Sequence, residues 1–494
     1  MPRFFEKMLL ILVMSFSVLA IGCETTDYEP LIMKKKLKEM EARIKLLEEK
    51  AGIKDPQDSS ADTSATADED AGANVVEDAA ANVVDTIKAD KAQTQSAMVT
   101  KPKPAIAIER LENFLTKDQS GTVVQANLTS SRQLETHVAK LAGHKHLKKI
   151  FLDGSKSNTS TFESLGQVSS LEHLEIPGCN PSPSDLAELK QLKGLKFLQL
   201  ANATLSEAAM EELSEFPALE QIRCAQTSVG DAELKQLGKL ATLRAIDLSQ
   251  CDGVTVEGIK SLTKCPKLTF LKVSGDAIDN QCMAEVGKMK SLRVLGISDT
   301  AVDDEGIAEL AGLNLSEVQM TRTKVGDDGI KILSKMKGLK SLNLRDTRLT
   351  DTAVGYISGL EYLTKLDLSE CTEPRITDAC ASEIAKMKNL KSLNLWATGF
   401  SDEGVEELTG MKNLTRLNLD KTNVTDDSVA MLKKMPQLTW LHLGKTKITD
   451  REKKVLMGLE NLKYLNISST QISDDGYSDI SKHLGELGCE IIAP

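Results

Sequence analysis

Residues Leu390 to Asp402 read Leu-Lys-Ser-Leu-Asn-Leu-Trp-Ala-Thr-Gly-Phe-Ser-Asp, and most of the chain is built from copies of this stretch. Its apolar skeleton is Leu390, Leu393 and Leu395, followed by Thr398, Phe400 and the pair Ser401-Asp402. The leading leucine recurs at Leu147, Leu171, Leu195, Leu219, Leu243, Leu268, Leu292, Leu315, Leu339, Leu363, Leu390, Leu414, Leu438 and Leu462. Ten of the thirteen intervals are 24 residues and the others are 25, 23 and 27. Fourteen copies at so even a period imply a solenoid, in which each unit buries its apolar face against the next.

Within one copy, Leu393 and Leu395 alternate with Ser392, Asn394 and Trp396, the two-residue period of a short strand. The leucines point inward, so the residues between them face the other side of the sheet. A Ser/Thr-Asp pair recurs at the end of the turn after the strand, as in Ser184-Asp185, Thr350-Asp351, Thr377-Asp378, Ser401-Asp402, Thr425-Asp426, Thr449-Asp450 and Ser473-Asp474. Such a pair starts a helix: the hydroxyl accepts from an otherwise unpaired N–H, and the carboxylate suits the positive helix end. Strands stack at about 4.8 Å whereas helices need about 8–10 Å, so the sheet lines the inside of an arc.

The pattern L-x-x-L-x-L-x-x-(N/C)-x-L from about Val124 to the C-terminus resembles the leucine-rich repeat family. That resemblance implies an α/β solenoid, a horseshoe with a concave parallel sheet and convex helices, of about fourteen repeats plus caps. Leu243, Ile246, Leu248, Cys251 and Val254, then Cys265, Leu268, Leu271 and Val273, and again Cys371, partly resemble the cysteine-containing subclass. Elsewhere Thr300, Thr323, Thr347, Thr398, Thr422, Thr446 and Thr470 hold the Asn/Cys position, which looks like a bacterial variant of the family. Ile108, Leu111 and Leu115 suggest a helix and Val123 to Leu128 a strand, together closing the first repeat. Cys489, Ile491 and Ile492 suggest a last capping strand.

The N-terminal part is organised differently. Arg3 and Lys7 precede an apolar run from Met8 to Ile21 that ends in Gly22-Cys23, which reads as a secretory signal over residues 1–22. Leu19-Ala20-Ile21-Gly22-Cys23 resembles a bacterial lipobox, which implies cleavage before Cys23 and its acylation, with Ala20 standing where Leu is usual. Acyl chains contribute about 0.8 kcal/mol per buried methylene, so several would anchor the protein to a membrane. Residues 23–53 add Met33, Leu37, Met40, Ile44, Leu47 and Ala51 at coiled-coil spacing; this is either a lone amphipathic helix or a small homo-oligomeric coil over 33–51. Residues 54–105 are rich in Ala, Asp, Ser and Thr and read as a disordered tether. Residues 106–494 then form the repeat domain with its caps.

Candidate chemistry is sparse. With a formal charge of −11 the chain is poorly suited to a nucleic-acid backbone. The cysteines beyond Cys23 lack metal spacing and read as buried thiols, with Cys371 and Cys380 the pair nearest in sequence to bridging distance. His137, His144 and His146 lack a completing carboxylate or thiol and read as surface residues. Gly444-Lys445-Thr446 lacks the earlier glycine of a phosphate loop, Thr439 standing there. No catalytic residue, cofactor or metal is assigned.

The inner face carries more. Both tryptophans of the chain, Trp396 and Trp440, fall there by register, with Arg345, Asp367, Arg416, Asp420, His442 and Tyr464 around them. Asn343, Asn394, Asn418 and Asn466 form a central row, which is either contact surface or a habit of the repeat. Phe151, Phe197 and Phe270, with Arg223 and Lys272, form a second patch. Rigid aromatics with Arg between them suit contact with a protein, peptide or glycan. The sequence therefore points to a non-catalytic, lipid-anchored binding or scaffold protein of a bacterial envelope, periplasmic or surface-exposed. One alternative is a structural envelope lipoprotein or spacer; another, an F-box-like substrate receptor, lacks a helical module before the repeats.

Overall fold

The computed structural model describes residues 109–372 and 376–493, which belong to one compact unit, Ala107–Pro494. The signal, the coiled-coil segment and the tether, residues 1–105, lie outside the described residues. Fourteen short strands, from Lys149–Phe151 to Tyr464–Asn466, each begin two residues after one of the fourteen leading leucines. Neighbours in sequence pair in parallel all along the series, with Ser392 opposite Arg416 and Leu393 opposite Leu417, for example. Leu393, Leu395, Leu417, Leu419, Leu441 and Leu443 are buried between the sheet and the outer helical segments. Ser392 and Asn394 remain half-buried on the other face. This is the leucine-rich repeat horseshoe, with the parallel sheet concave and the helices convex.

The N-terminal cap departs from expectation. Leu111–Phe114 is only a 3₁₀ turn, and Leu115–Lys117 is a strand antiparallel to Val123–Asn127. Gly121, at φ 82°, and the Asp118 carboxylate, which accepts the N–H groups of Ser120 and Thr122, close the hairpin between them. Pairing covers the sheet edge that a helix would have left bare. His137 is not at the surface: it is buried, bonded to Ser131 Oγ at 2.9 Å and to the Glu109 carbonyl at 3.1 Å. At the other end Glu490–Ile492 adds a parallel strand beside Tyr464–Asn466, after the 13-residue helix Asp474–Glu486.

The Ser/Thr-Asp pairs do more than start helices. Thr350, Thr377, Thr425, Thr449 and Ser473 accept a backbone N–H of the first helical turn, as expected. Ser182 rather than Ser184 caps its helix, with Asp185 completing the capping box, because Pro183 takes the first helical position. Ser401 makes no cap bond and donates instead to Asp378 of the preceding repeat. That cross-repeat bond recurs: Thr425 donates its N–H and hydroxyl to Asp402 at 2.8 and 2.7 Å, and Thr449 donates both to Asp426 at 2.7 Å. From Asp327 to Ser473 a ladder of carboxylates thus clasps one turn to the next. It also sets the glycine of the helix start: a Cβ on Gly404 would meet Asp378 Oδ1 at 2.2 Å.

The threonines at the Asn/Cys position each return a hydroxyl to a carbonyl of their own strand end, as Thr398 does to Leu395 O at 2.7 Å. Cys251 and Cys371 reach back to the preceding repeat instead, their thiols donating to Cys224 O at 3.0 Å and Leu344 O at 3.3 Å. All eight cysteines of the described residues are buried free thiols, and Cys371 and Cys380 are not bridged.

Candidate functional site

Strand register arranges the inner face in columns. The first runs Ser341, Lys365, Ser392, Arg416, Trp440 and Tyr464. The second runs Asn343, Asp367, Asn394, Asn418, His442 and Asn466. Arg345, Trp396 and Asp420 stand two residues further along their repeats, in a third column. All twelve residues expected on this face lie on it, but they form two clusters, because the tryptophans occupy different columns.

Around Trp440 the packing is continuous. The Arg416 guanidinium lies 4.4 Å from the indole centroid, and the His442 ring stacks on the indole at 3.9 Å. Tyr464 stacks against both rings, at 5.5 Å from Trp440 and 5.1 Å from His442. Arg416 comes from the preceding strand and Tyr464 from the following one, so they flank the indole from opposite sides. Burial, with the nearby Arg416 charge, pulls the His442 imidazole down to about 4, which leaves it neutral at pH 7. His442 Nε2 and Asp420 Oδ1 are buried without a hydrogen-bond partner among the described residues. Burial also raises the Asp420 carboxyl above the ordinary aspartate value.

The second cluster is Trp396 with Arg345, whose guanidinium lies 4.8 Å from the indole while Nε donates to Glu370 at 2.8 Å. The asparagine row has a definite backbone role. Asn343, Asn394, Asn418 and Asn466 each accept, through Oδ1, the N–H two residues on, at 2.8–3.1 Å. This Asx turn ends each strand. Asp367 does the same for Ser369 and also accepts from Asn394 Nδ2 at 3.0 Å.

A groove of about 330 Å³ crosses the sheet from Glu317 to Trp440. Of the expected residues it takes in Asn343, Asp367, Asn394, Arg416, Asn418 and Trp440. It adds Glu317, Gln319, Ser341, Lys365 and Ser392, which a search led by aromatic residues passes over although their columns are legible in the repeat. The earlier patch also gathers. His173 stacks on Phe197 at 4.0 Å and lies 5.5 Å from Phe151, while Arg223 sits 5.2 Å above Phe197. Lys272 lies 5.9 Å from the Phe270 centroid. His173 was legible only by the same column rule.

Among the described residues no group of three or more His, Cys, Asp or Glu side chains could hold a metal. No helix among them is long and apolar enough to cross a membrane.

Three solved structures resemble this one in fold. An internalin of Listeria monocytogenes is 18% identical over 67% of this chain and 82% of its own, with a TM-score of 0.41. A leucine-rich repeat protein of Leptospira interrogans is 20% identical over 75% of this chain and all of its own, at 0.45. A chain of the yeast Rad7–Elc1 complex is 18% identical over 68% of this chain and 92% of its own, at 0.47. No curated relative matches the sequence. The family model described as a leucine-rich repeat region matches residues 221–484, more than half of the 494-residue chain. The chain belongs to the leucine-rich repeat family.

Proposed function

We propose that the protein is a non-catalytic binding or scaffold protein that holds a protein, peptide or glycan on the concave sheet between Glu317 and Tyr464. The leucine-rich repeat fold commonly serves protein binding, and a fold alone names no ligand. The observation that carries the proposal is the Arg416–Trp440–Tyr464 stack, half-exposed on an open sheet face. Tryptophan, tyrosine and arginine held rigid in this way dominate binding energy at interfaces.

The test is capture of envelope proteins by the full chain and by the Trp396→Ala/Trp440→Ala variant. A partner held by the first and lost by the second, with thermal unfolding unchanged, supports the proposal. Equal capture by both favours a purely structural role. We further propose that residues 1–22 are a lipoprotein signal, that Cys23 is acylated and that residues 54–105 space the repeats from a bacterial membrane, with 33–51 available for self-association. Cys23→Ser is expected to move the protein from the membrane to the soluble fraction; retention in the membrane would end the anchoring proposal.

A further inference from the structure

We infer that the edge of the arc where helices lead into strands seats on an anionic phospholipid surface, through Arg293, Lys340 and Lys391 with Tyr362 among them. The inference stands apart from the concave-face reading and from acylation of Cys23. Seven successive helix-to-strand connections (286–293, 310–316, 333–340, 357–364, 384–391, 408–415 and 432–439) hold twelve Lys or Arg and a single acid, Glu361. Three of them repeat one pattern: Lys288-Met289-Lys290-Ser291-Leu292-Arg293, Lys335-Met336-Lys337-Gly338-Leu339-Lys340 and Lys386-Met387-Lys388-Asn389-Leu390-Lys391. In each the methionine is buried and the three cations are exposed.

Part of this is the ordinary preference of cations for the C-terminal carbonyls of a helix. Lys290 donates to Gly287 O at 2.7 Å and Lys388 to Ala385 O at 2.8 Å, while Lys288 and Lys386 pair with Glu285 and Glu383. The last cation of each pattern is different. Among the described residues Arg293 meets only backbone carbonyls, and the Lys340 and Lys391 ammonium groups have no partner. In earlier repeats the same position is self-neutralised: Lys148 and Lys196 share Glu172, and Arg244 pairs with Glu220. Here Ser316 and Thr364 stand where those acids would, their hydroxyls returning to Arg293 O and Lys340 O, so the cations keep their charge. The strands that follow the three cations are each two apart in the sheet, which sets the row at about 9.6 Å intervals.

The net charge of −11 does not lie on this edge. The acids of these repeats gather chiefly at the helix starts, as in Asp303-Asp304-Glu305, Asp327-Asp328 and Asp426-Asp427. A seven-residue helix holds its two ends about 10 Å apart, more than the Debye length of about 8 Å at physiological salt. A surface laid on the basic edge therefore meets chiefly cations. Apolar tips then favour lipid. The large apolar side chains left exposed among the described residues are Tyr362, at 61%, and Leu487, at 43%, and both lie in helix-to-strand connections. Tyr362 falls between the Lys335–Lys340 and Lys386–Lys391 patterns. In a headgroup layer apolar groups enter while Lys and Arg meet phosphate; a nucleic acid or acidic polysaccharide would leave Tyr362 and Leu487 in water.

Co-sedimentation of the full chain carrying Cys23→Ser, which bears no acyl chain at that position, tests this with neutral phosphatidylcholine vesicles and with vesicles containing phosphatidylglycerol. The same chain is measured with Arg293→Gln/Lys340→Gln/Lys391→Gln, with Tyr362→Ser and with Trp396→Ala/Trp440→Ala, each first shown by circular dichroism to be folded. The expected result is tighter binding to the anionic vesicles, weakened about five-fold for each cation removed and roughly a hundred-fold in the triple variant. Rising salt should weaken it too. Tyr362→Ser should bind the anionic vesicles more weakly, and the tryptophan variant should bind them as its parent does. Equal binding by the triple variant and its parent, or equal binding to both kinds of vesicle, would overturn the inference. Loss on the tryptophan variant alone would overturn it by moving the contact to the concave face. Heparin held by the parent and released by the triple variant, with no vesicle bound, would replace the lipid surface with a soluble polyanion.

Discussion

His442 shows how one side chain can be placed by register and still surprise in its chemistry. Its column was legible from the leucines on either side, Leu441 and Leu443, but its neighbours Trp440 and Tyr464 enclose it more than a sheet-surface position suggests. Burial first, and then the Arg416 charge, carries the imidazole from 6.5 down to about 4. Between those values the unfolded chain binds a proton that the folded chain does not, so stability falls as pH drops from about 6.5 to 4. The contribution is whole above the unfolded value and gone below the folded one. His442→Gln should flatten the thermal unfolding midpoint across that window, and Arg416→Gln should raise the His442 midpoint in an NMR titration. A His442 that titrates near 6.5 in the native protein would show the ring to be solvated.

At the scale of the element, local sequence rules read half of each turn. Five of the seven Ser/Thr-Asp pairs cap the helix that follows them, and these were legible because capping is a contact between near neighbours. The carboxylate's second task was illegible, since its donors lie 23 to 26 residues away in the next repeat. Sequence also hid the left-handed turn residues that are not Gly, Asn or Asp, Ala397 and Lys421 among them at φ 55° and 56°, which sit in a fold-imposed conformation that their residue type does not announce. Three apolar residues, Ile108, Leu111 and Leu115, were too few to separate a helix from a turn leading into a hairpin. Asp402 tests the ladder. Burial raises its carboxyl, but bonds from Ser428 and Thr425 outweigh this and hold it below 3.8. Its contribution is present above the unfolded value and lost as pH falls through the folded one, a more acidic window than that of His442. Asp402→Ala should cost about 1–3 kcal/mol by leaving the Thr425 and Ser428 donors unpaired. Thr425→Val should be non-additive with it in urea unfolding, and additive behaviour would show that the two groups do not act together.

For the whole molecule, pairing in strict chain order has a mechanical consequence. Each strand bonds only to the strands before and after it, so stability is a sum of repeat and interface contributions rather than of one central core. This much was legible from the period alone, and it is why a single lesion need not unfold the arc. Leu342 is buried at the middle of the groove and pairs with Val318 and Leu366. Leu342→Ala removes core volume worth about 2–5 kcal/mol at that one repeat. Hydrogen exchange in mild denaturant should then show the repeats around Ser341–Asn343 opening first, with those around Phe151 and Phe197 holding their protection. A ligand in the groove spans the strands from Glu317 to Trp440 and should restore protection to those repeats alone, because it bridges the weakened interface. Loss of protection spread evenly from the N-terminal hairpin to Ile492 would mean the array melts as one unit. In that case coupling between distant repeats is far stronger than neighbour contacts alone can supply.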